Sequence, residues 1–448
     1  MTTSTETENG IQNVKLGPVR FVPGITKWNA ATVFYAGFFS IASTVFLSVF
    51  QGYIFTELLH IPQDEQGKLA GKLVAYSELV ILCLIGVAGV ISDKIGRRPV
   101  YVFGFVFLGI GYALYPLATS EDQLIMFRMV FALGVVGATS MLATVQADYP
   151  VERDRGKLVG TMGFLQAVGV VAVIFTLPKL PKQLTAGGMT PELAGQITLW
   201  IFAGICVINA VVLALGLKGG TPSNVAKREG FIPTLKRGIE AGKNPRVALS
   251  YVAAMVSRGD LSTVSTFFSL WVMQVGISKG MNSADALKAG AMFFVIVTVA
   301  ATLWAPVVGI LCDRMNRVTA LCMAMTLATV GYLVAGFLPD PTSALMYPAA
   351  ILLGMAEVNA VLAAQTLIGQ EAPKEGRGSV IGVFGVCGGI GILAAGTAGG
   401  YLFDEWRPSA PFILMGAANF TLLLIALFVR FKAPGPMPQD VVREAGAH

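Results

Sequence analysis

Twelve stretches of continuously apolar sequence partition this chain, at approximately 30–56, 70–92, 99–118, 122–147, 157–178, 197–217, 247–276, 288–312, 317–338, 343–368, 379–403 and 409–430. Each is long enough to cross a hydrocarbon layer of roughly 30 Å, which takes about 20 helical residues. Lipid offers no water to exposed backbone groups, so such segments must fold as helices or close into a barrel. The pattern excludes the barrel, because the apolar residues run on without alternating at period two. Composition agrees: 54% of residues are hydrophobic and 13% charged, and the mean hydropathy is +0.69, which no soluble domain of ordinary make-up carries.

The chain also repeats itself at half its length. Gly89-Val-Ile-Ser-Asp93-Lys-Ile-Gly96-Arg97-Arg98 recurs, degraded, about 220 residues on as Gly309-Ile-Leu-Cys-Asp313-Arg-Met-Asn-Arg317. Asp148-Tyr-Pro150, Arg155-Gly156, Gly160, Gly163 and Gly169 reappear as Glu371-Ala-Pro373, Arg377-Gly378, Gly382, Gly385 and Gly391, from Arg155 onward at one offset of about 222 residues. Two separated matches at nearly one offset mark an internal duplication. The expected fold is an all-α polytopic membrane protein, with twelve transmembrane helices in two pseudo-symmetric six-helix bundles.

That reading divides the chain into an N-terminal tail (1–29), a first bundle (30–217), a basic linker (218–246), a second bundle (247–431) and a C-terminal tail (432–448). With both termini cytoplasmic, about 23 of the 32 Lys and Arg residues fall on the cytoplasmic side, the side such residues favour in short loops. The net charge of +6 then reflects this asymmetry and the anionic inner leaflet, so nucleic acid is not expected as a partner. The first 28 residues lack the short apolar core of a cleaved signal, which leaves the first helix as an uncleaved insertion signal. In the linker, Phe231, Ile232, Leu235 and Ile239 sit among Lys227, Arg228, Lys236 and Arg237, which suits either a basic amphipathic helix on the membrane surface or a solvated connector with a short helix. The tail after Lys432, with three prolines, is expected to be disordered. Cys83, Cys206, Cys312, Cys322 and Cys387 show no metal-ligand spacing and read as small core residues. No metal or cofactor is expected.

The first loop motif, at Gly89, Asp93, Gly96, Arg97 and Arg98, resembles the signature of the major facilitator superfamily, and the resemblance extends over essentially the whole chain. Its chemistry is intelligible: Gly96 allows a sharp turn, and Asp93 at a helix end can pair with a cation or a helix N-terminus. The resemblance implies a cytoplasmic latch whose charge pairs break and reform during alternating access. Asp313 and Arg317, together with the recurring Asp148, Arg155, Glu371 and Arg377, are assigned to the same gate. Asn316 replaces the glycine in the second copy, which puts its turn in question. The Gly-Pro pairing of the family's drug antiporters is absent from the fifth helix. The repeated glycines of the fifth and eleventh helices read as sites of tight helix contact.

Ionisable groups inside a bilayer are costly, and this chain has few of them. Arg258 and Asp260 lie about a dozen residues into the seventh helix, near the midplane, and two residues apart they do not face each other. Glu357, with Asn359 nearby, falls at a similar depth in the tenth helix. The resemblance makes the first, fourth, seventh and tenth helices line a central cavity, and so implies that Arg258, Asp260 and Glu357 share one pocket. A carboxylate in a dry site can load and release a proton as its surroundings open, which makes Asp260 and Glu357, and after them Glu78, the candidate proton-coupling groups. Arg258 and Arg128 are candidates to receive an anionic substrate group bidentately, with Gln51, Asn359 and Gln365 as further substrate contacts. The competing reading is a structural charge network holding the second half together.

These observations point to a secondary active transporter working by alternating access, with protons and a small-molecule substrate as partners and lipid around a monomer, in a bacterial inner (plasma) membrane. The favoured activity is proton-coupled symport of a small organic anion such as a carboxylate metabolite. The alternative is a proton-antiport exporter of amphiphilic drugs or lipids. No nucleophile motif, His/Cys cluster or nucleotide-binding loop of the Gly-x-x-x-x-Gly-Lys-Ser/Thr type occurs, so an enzyme or ATP-driven pump is not expected.

Overall fold

The computed structural model describes residues 7–8, 11–12, 14–220, 231–373 and 376–437. Among these, twelve helices are long and apolar enough to span a membrane: α1 (Lys27–Leu58), α2 (Gln66–Ile95), α3 (Arg97–Leu117), α4 (Glu121–Asp148), α5 (Glu152–Ala186), α6 (Pro191–Gly216), α7 (Pro245–Ser278), α8 (Ser283–Arg314), α9 (Arg317–Phe337), α10 (Met346–Glu371), α11 (Arg377–Glu405) and α12 (Ala410–Lys432). Their starts are chemically marked. Ser120, Thr190, Asn244, Asn282 and Asn316 each accept a hydrogen bond from the first turn of the helix that follows, which satisfies donors that a helix leaves open. Large apolar side chains such as Leu303, Leu215 and Phe431 stay exposed, as lipid-facing residues do.

Two compact units form, one from residues 1–60 and 79–226, the other from 61–78 and 227–448. Helix α2 contributes its first turns to the second unit and its remainder to the first. Duplication is visible in the packing. Within the first unit α1 lies on α5, and α3 on both α4 and α6; within the second α7 lies on α11, and α9 on both α10 and α12. The tightest contacts repeat too: a Cβ at Gly169 would strike the carbonyl oxygen of Phe38, and one at Gly391 that of Met255. Both α1 and α7 carry a one-turn π-helix, at Ile54–Leu58 and Val264–Phe268.

Three expectations need correction. Gly169 and Gly391 mark close helix contact, but Gly160, Gly163, Gly382 and Gly385 have open space where a side chain would point, with no described atom within 4 Å. Cys206, Cys312 and Cys322 are buried, whereas Cys83 is exposed and Cys387 half-buried; Cys83 sits on α2, which buries little of its most apolar stretch. The C-terminal segment is ordered as far as Met437 in part because Asn316 Nδ2 donates to the carbonyls of Pro434, Gly435 and Pro436 at 2.7, 3.0 and 3.3 Å; residues 438–448 lie outside the described residues.

A helix does form in the linker, Phe231–Ala241. Its Gly238 sits against the backbone of Ser379 on α11, and Tyr251 on α7 donates to the Gly238 carbonyl at 2.6 Å. Lys227 and Arg228 lie outside the described residues.

At the opposite end from the motif loops, the loop residue Asp340 binds Lys279 and accepts from Thr342. These partners, the Lys279 ammonium first, hold its carboxyl at about 2, below the usual carboxylate range. Because the folded value lies below the unfolded one, the clasp stabilises fully above about pH 4 and its contribution fades as the pH falls toward 2. Both side chains are partly exposed, so the contribution is at most about 1 kcal/mol. Asp340→Asn should therefore lower the thermal midpoint slightly at pH 7, by an amount that shrinks on acidification; a loss independent of pH would show that the charge is irrelevant.

Candidate functional site

Polar side chains collect in two regions of each unit, at the motif end and in the interior. At the motif end of the first unit, Gly96 takes φ +98°, and a Cβ there would come within 2.6 Å of the Gly220 carbonyl oxygen. Glycine is the residue that fits such a turn. The turn delivers Arg97, whose guanidinium donates to Asp93 at 2.5 Å, to Ser92 Oγ at 2.6 Å and to Asp148 at 3.1 Å. One guanidinium thus ties the end of α2 to the end of α4. Ser92 in turn donates to the Gly89 carbonyl at 2.8 Å, and Arg98 lies along the Gly219 backbone. Arg155 does not join this cluster; it pairs with Glu152 at 2.7 Å on the surface.

The second unit keeps part of this arrangement. Arg317 pairs with Asp313 at 3.2 Å. In place of the strained glycine, Asn316 caps α9 through its Oδ1, while its amide holds the segment after α12. Glu371, at the place of Asp148, is engaged by Arg246 at 2.7 Å instead, and Arg377 donates to the Gly369 carbonyl at 3.0 Å. Sequence reasoning missed a further pair: Arg20 binds Asp154 at 2.8 Å in the first unit, much as Arg246 binds Glu371 in the second. In both, a basic residue at or before the unit's first helix reaches an acid near the connection between the fourth and fifth helices.

In the interior of the second unit the expected single cluster is divided. Asp260 is fully buried and accepts from Asn419 Nδ2 on α12 at 2.9 and 3.1 Å. Glu357, half-buried on α10, lies within electrostatic reach of it. Arg258, two residues away, turns to the other side, lies exposed with its stem over Gly388, and interacts electrostatically with buried Glu78. Asn359 is buried and Gln365 exposed. Arg258 is therefore grouped with Glu78, and Asp260 with Glu357. The sequence shows Asn419 as an uncharged amide within an apolar helix, set aside because that helix is not among those expected to line the cavity, and gives no signal for Tyr332.

The first unit's interior holds the comparison. Tyr35 on α1 donates to Asn209 on α6 at 2.5 Å, in the same pair of helices, counted within the repeat, as Asp260 and Asn419 on α7 and α12. Here the contact is neutral. Arg128, also in this unit, is buried with its guanidinium over the Phe131 ring at 5.1 Å, and Gln51 is buried.

The sequence pattern of the Major Facilitator Superfamily matches residues 32–396 and 299–447, and the chain belongs to that family. With its twelve apolar helices, it is accordingly an integral membrane protein of a transporter family. Similar curated proteins include the magnetosome protein MamZ of Paramagnetospirillum magneticum, 25% identical over 85% of this chain and 59% of its own length. Others are the magnetosome protein MamH of the same organism, 25% identical over 83% of this chain and 85% of its own, and the multi-drug resistance efflux pump PmrA of Streptococcus pneumoniae, 25% identical over 77% and 82%. The chain thus spans well under two thirds of MamZ. Among solved structures, the nucleoside transporter NupG superposes with a TM-score of 0.71 at 13% identity, covering 90% of this chain and 98% of its own. A bacterial homologue of the human lysosomal transporter Spinster gives 0.64 at 15% identity, covering 90% and 96%.

Removing the amide that holds Asp260 should cost more than removing the one that holds Tyr35, because Asp260 is wholly buried and Tyr35 only partly, and a buried polar group left without its partner is the costlier loss. Asn419→Leu is expected to destabilise by about 1–3 kcal/mol, and Asn209→Leu by less, in thermal unfolding of the purified protein. Equal losses would mean that the Asn419 amide contributes no more at Asp260 than the Asn209 amide does at Tyr35.

Proposed function

We propose that the protein is a proton-coupled symporter of a small organic anion, in which Arg258 receives the anionic group and Asp260 and Glu357 carry the coupling proton. One observation carries this reading: the membrane-embedded charges of the second unit are sorted, with Arg258 exposed beside Glu78 and Asp260 buried beside Glu357. A structural ion pair would place arginine against aspartate, since a buried charge without a partner is costly. Here, among the described residues, no cation pairs with either acid, a state that binding a proton relieves.

In this reading the motif-end pairs, Arg97 with Asp93 and Asp148, and Arg317 with Asp313, are the charge contacts that exchange as the transporter alternates. Asp148, Arg155, Glu371 and Arg377 belong to the same gate, Arg155 through Glu152 and Glu371 through Arg246. Arg128, Gln51, Asn359 and Gln365 contribute substrate contacts, and Glu78 modulates Arg258. The protein functions as a monomer in a bacterial inner membrane with both termini inside, which agrees with the distribution of lysine and arginine. A second reading, export of amphiphilic drugs by proton antiport, draws support from PmrA, which is named a multi-drug efflux pump.

A thermal-shift screen of purified protein separates the two. Ligand at 100 times its dissociation constant adds about 2.7 kcal/mol of stability, so small carboxylates should raise the midpoint of wild type, and Arg258→Ala should abolish the rise. Stabilisation by lipophilic cations alone, intact in Arg258→Ala, would favour the exporter and reject the anion reading.

A further inference from the structure

We propose that Asp260, Glu357, Asn419, Tyr332 and Thr263 form an oxygen-lined binding site for a hard monovalent cation, sodium, inside the second unit; the proposal rests on the assignment of the two carboxylates as the coupling groups. The acidic pair alone would carry nothing. What distinguishes it is a set of buried oxygens with no hydrogen-bond partner. Tyr332 Oη on α9 is wholly buried, unpartnered, and within electrostatic reach of both Asp260 and Glu357. Asn419 Oδ1 is likewise buried and unpartnered, on the same amide whose Nδ2 is fixed on Asp260. Thr263 Oγ1 is the third, three residues after Asp260 on α7 and so within about 60° of it around the helix.

Packing brings α9 and α10 together beside Tyr332 and Glu357. Gly331 lets α9 approach α10 so closely that a Cβ there would lie 2.8 Å from that of Ala356, and the next residue on each helix is Tyr332 and Glu357. Beyond Asp260, the Val264–Phe268 π-helix shifts the register of α7 directly after Thr263, a feature common where a helix serves a ligand. The chemistry selects the ion. Two carboxylates and an amide carbonyl accept only, and two hydroxyls supply lone pairs, an all-oxygen set that suits hard cations. The donors are all oxygens, with no imidazole or thiolate among them, which disfavours transition metals, and calcium is the competitor that the titration below excludes. Sodium and the coupling proton would compete for the same two carboxylates, with Arg258 and Glu78 as the next charges on α7 and α2.

The site carries its own reporter. Phe412 stacks between Tyr332, at 6.4 Å, and Trp271, at 5.4 Å, so an ion drawing on Tyr332 should alter Trp271 emission. The experiment titrates purified full-length protein, without organic anion, with NaCl against choline chloride at constant ionic strength, following tryptophan fluorescence and the thermal midpoint. A saturable response to sodium and none to choline is expected. Tyr332→Phe, which removes one oxygen and keeps the ring, should weaken apparent affinity at least tenfold, and Asp260→Asn should abolish it; lowering the pH should weaken binding in wild type. No sodium-specific response, an unchanged response in Tyr332→Phe, or a stronger response to calcium than to sodium would overturn the proposal. Should sodium binding fail while proton-driven transport needs Asp260, the transport reading stands alone. Should sodium bind while Asp260→Asn transports normally, the site stands and the assignment of Asp260 to coupling falls.

Discussion

A carboxylate buried in the hydrocarbon layer is the constraint to which the interior of the second unit answers. Asp260 cannot be solvated at its depth in α7 and, among the described residues, pairs with no arginine, so it depends on the amide of Asn419 and on how closely α10 and α12 pack on α7. The glycine at 331 and the ring stack through Phe412 bring α9 against α10 and α12. The duplicated first unit shows what mere packing requires. There the same helix pair is joined by Tyr35 and Asn209, a contact with no charge to desolvate. Since a neutral pair suffices to hold those helices together, an ionisable group at position 260 is retained at a cost, and a cost carried in a membrane core points to function.

The motif ends show the same duplication under less demand. In the first unit the strained Gly96 presents Arg97 to two acids on different helices. In the second, Asn316 replaces both the turn and part of the charge chemistry with an amide that caps one helix and ties down the chain after another. The copy that lacks the glycine thus keeps the Arg317–Asp313 pair and adds an amide tether, while Glu371 pairs with a different cation, Arg246. The two units share contacts and differ in what can be broken easily.

Much of this was legible in the chain. Continuous apolar runs gave twelve helices because lipid leaves no other way to satisfy a backbone, and the repeated Asp-Arg loops disclosed the duplication. Two residues apart on one helix, Arg258 and Asp260 had to face different ways. Their partners were not legible. Asn419 lies 159 residues from Asp260, and only the packing of α12 on α7 brings them together; Tyr332 reads as an ordinary aromatic until α9 is placed against α10. Likewise, the repeated glycines of α5 and α11 look alike in sequence, yet Gly169 and Gly391 press on neighbouring backbone while Gly160, Gly163, Gly382 and Gly385 do not. Which glycine meets a neighbour is decided by the tilt of whole helices.

The most direct test of the account is to neutralise Asp260 without removing its contact with Asn419. Asp260→Asn, reconstituted in lipid vesicles with an anion chosen by thermal shift, should unfold near the wild-type temperature and still exchange the anion across the membrane at equilibrium. It should no longer accumulate that anion against a gradient when an inward proton gradient is imposed. Accumulation at the wild-type rate and with the wild-type pH dependence would contradict the account and return Asp260 to a role in packing.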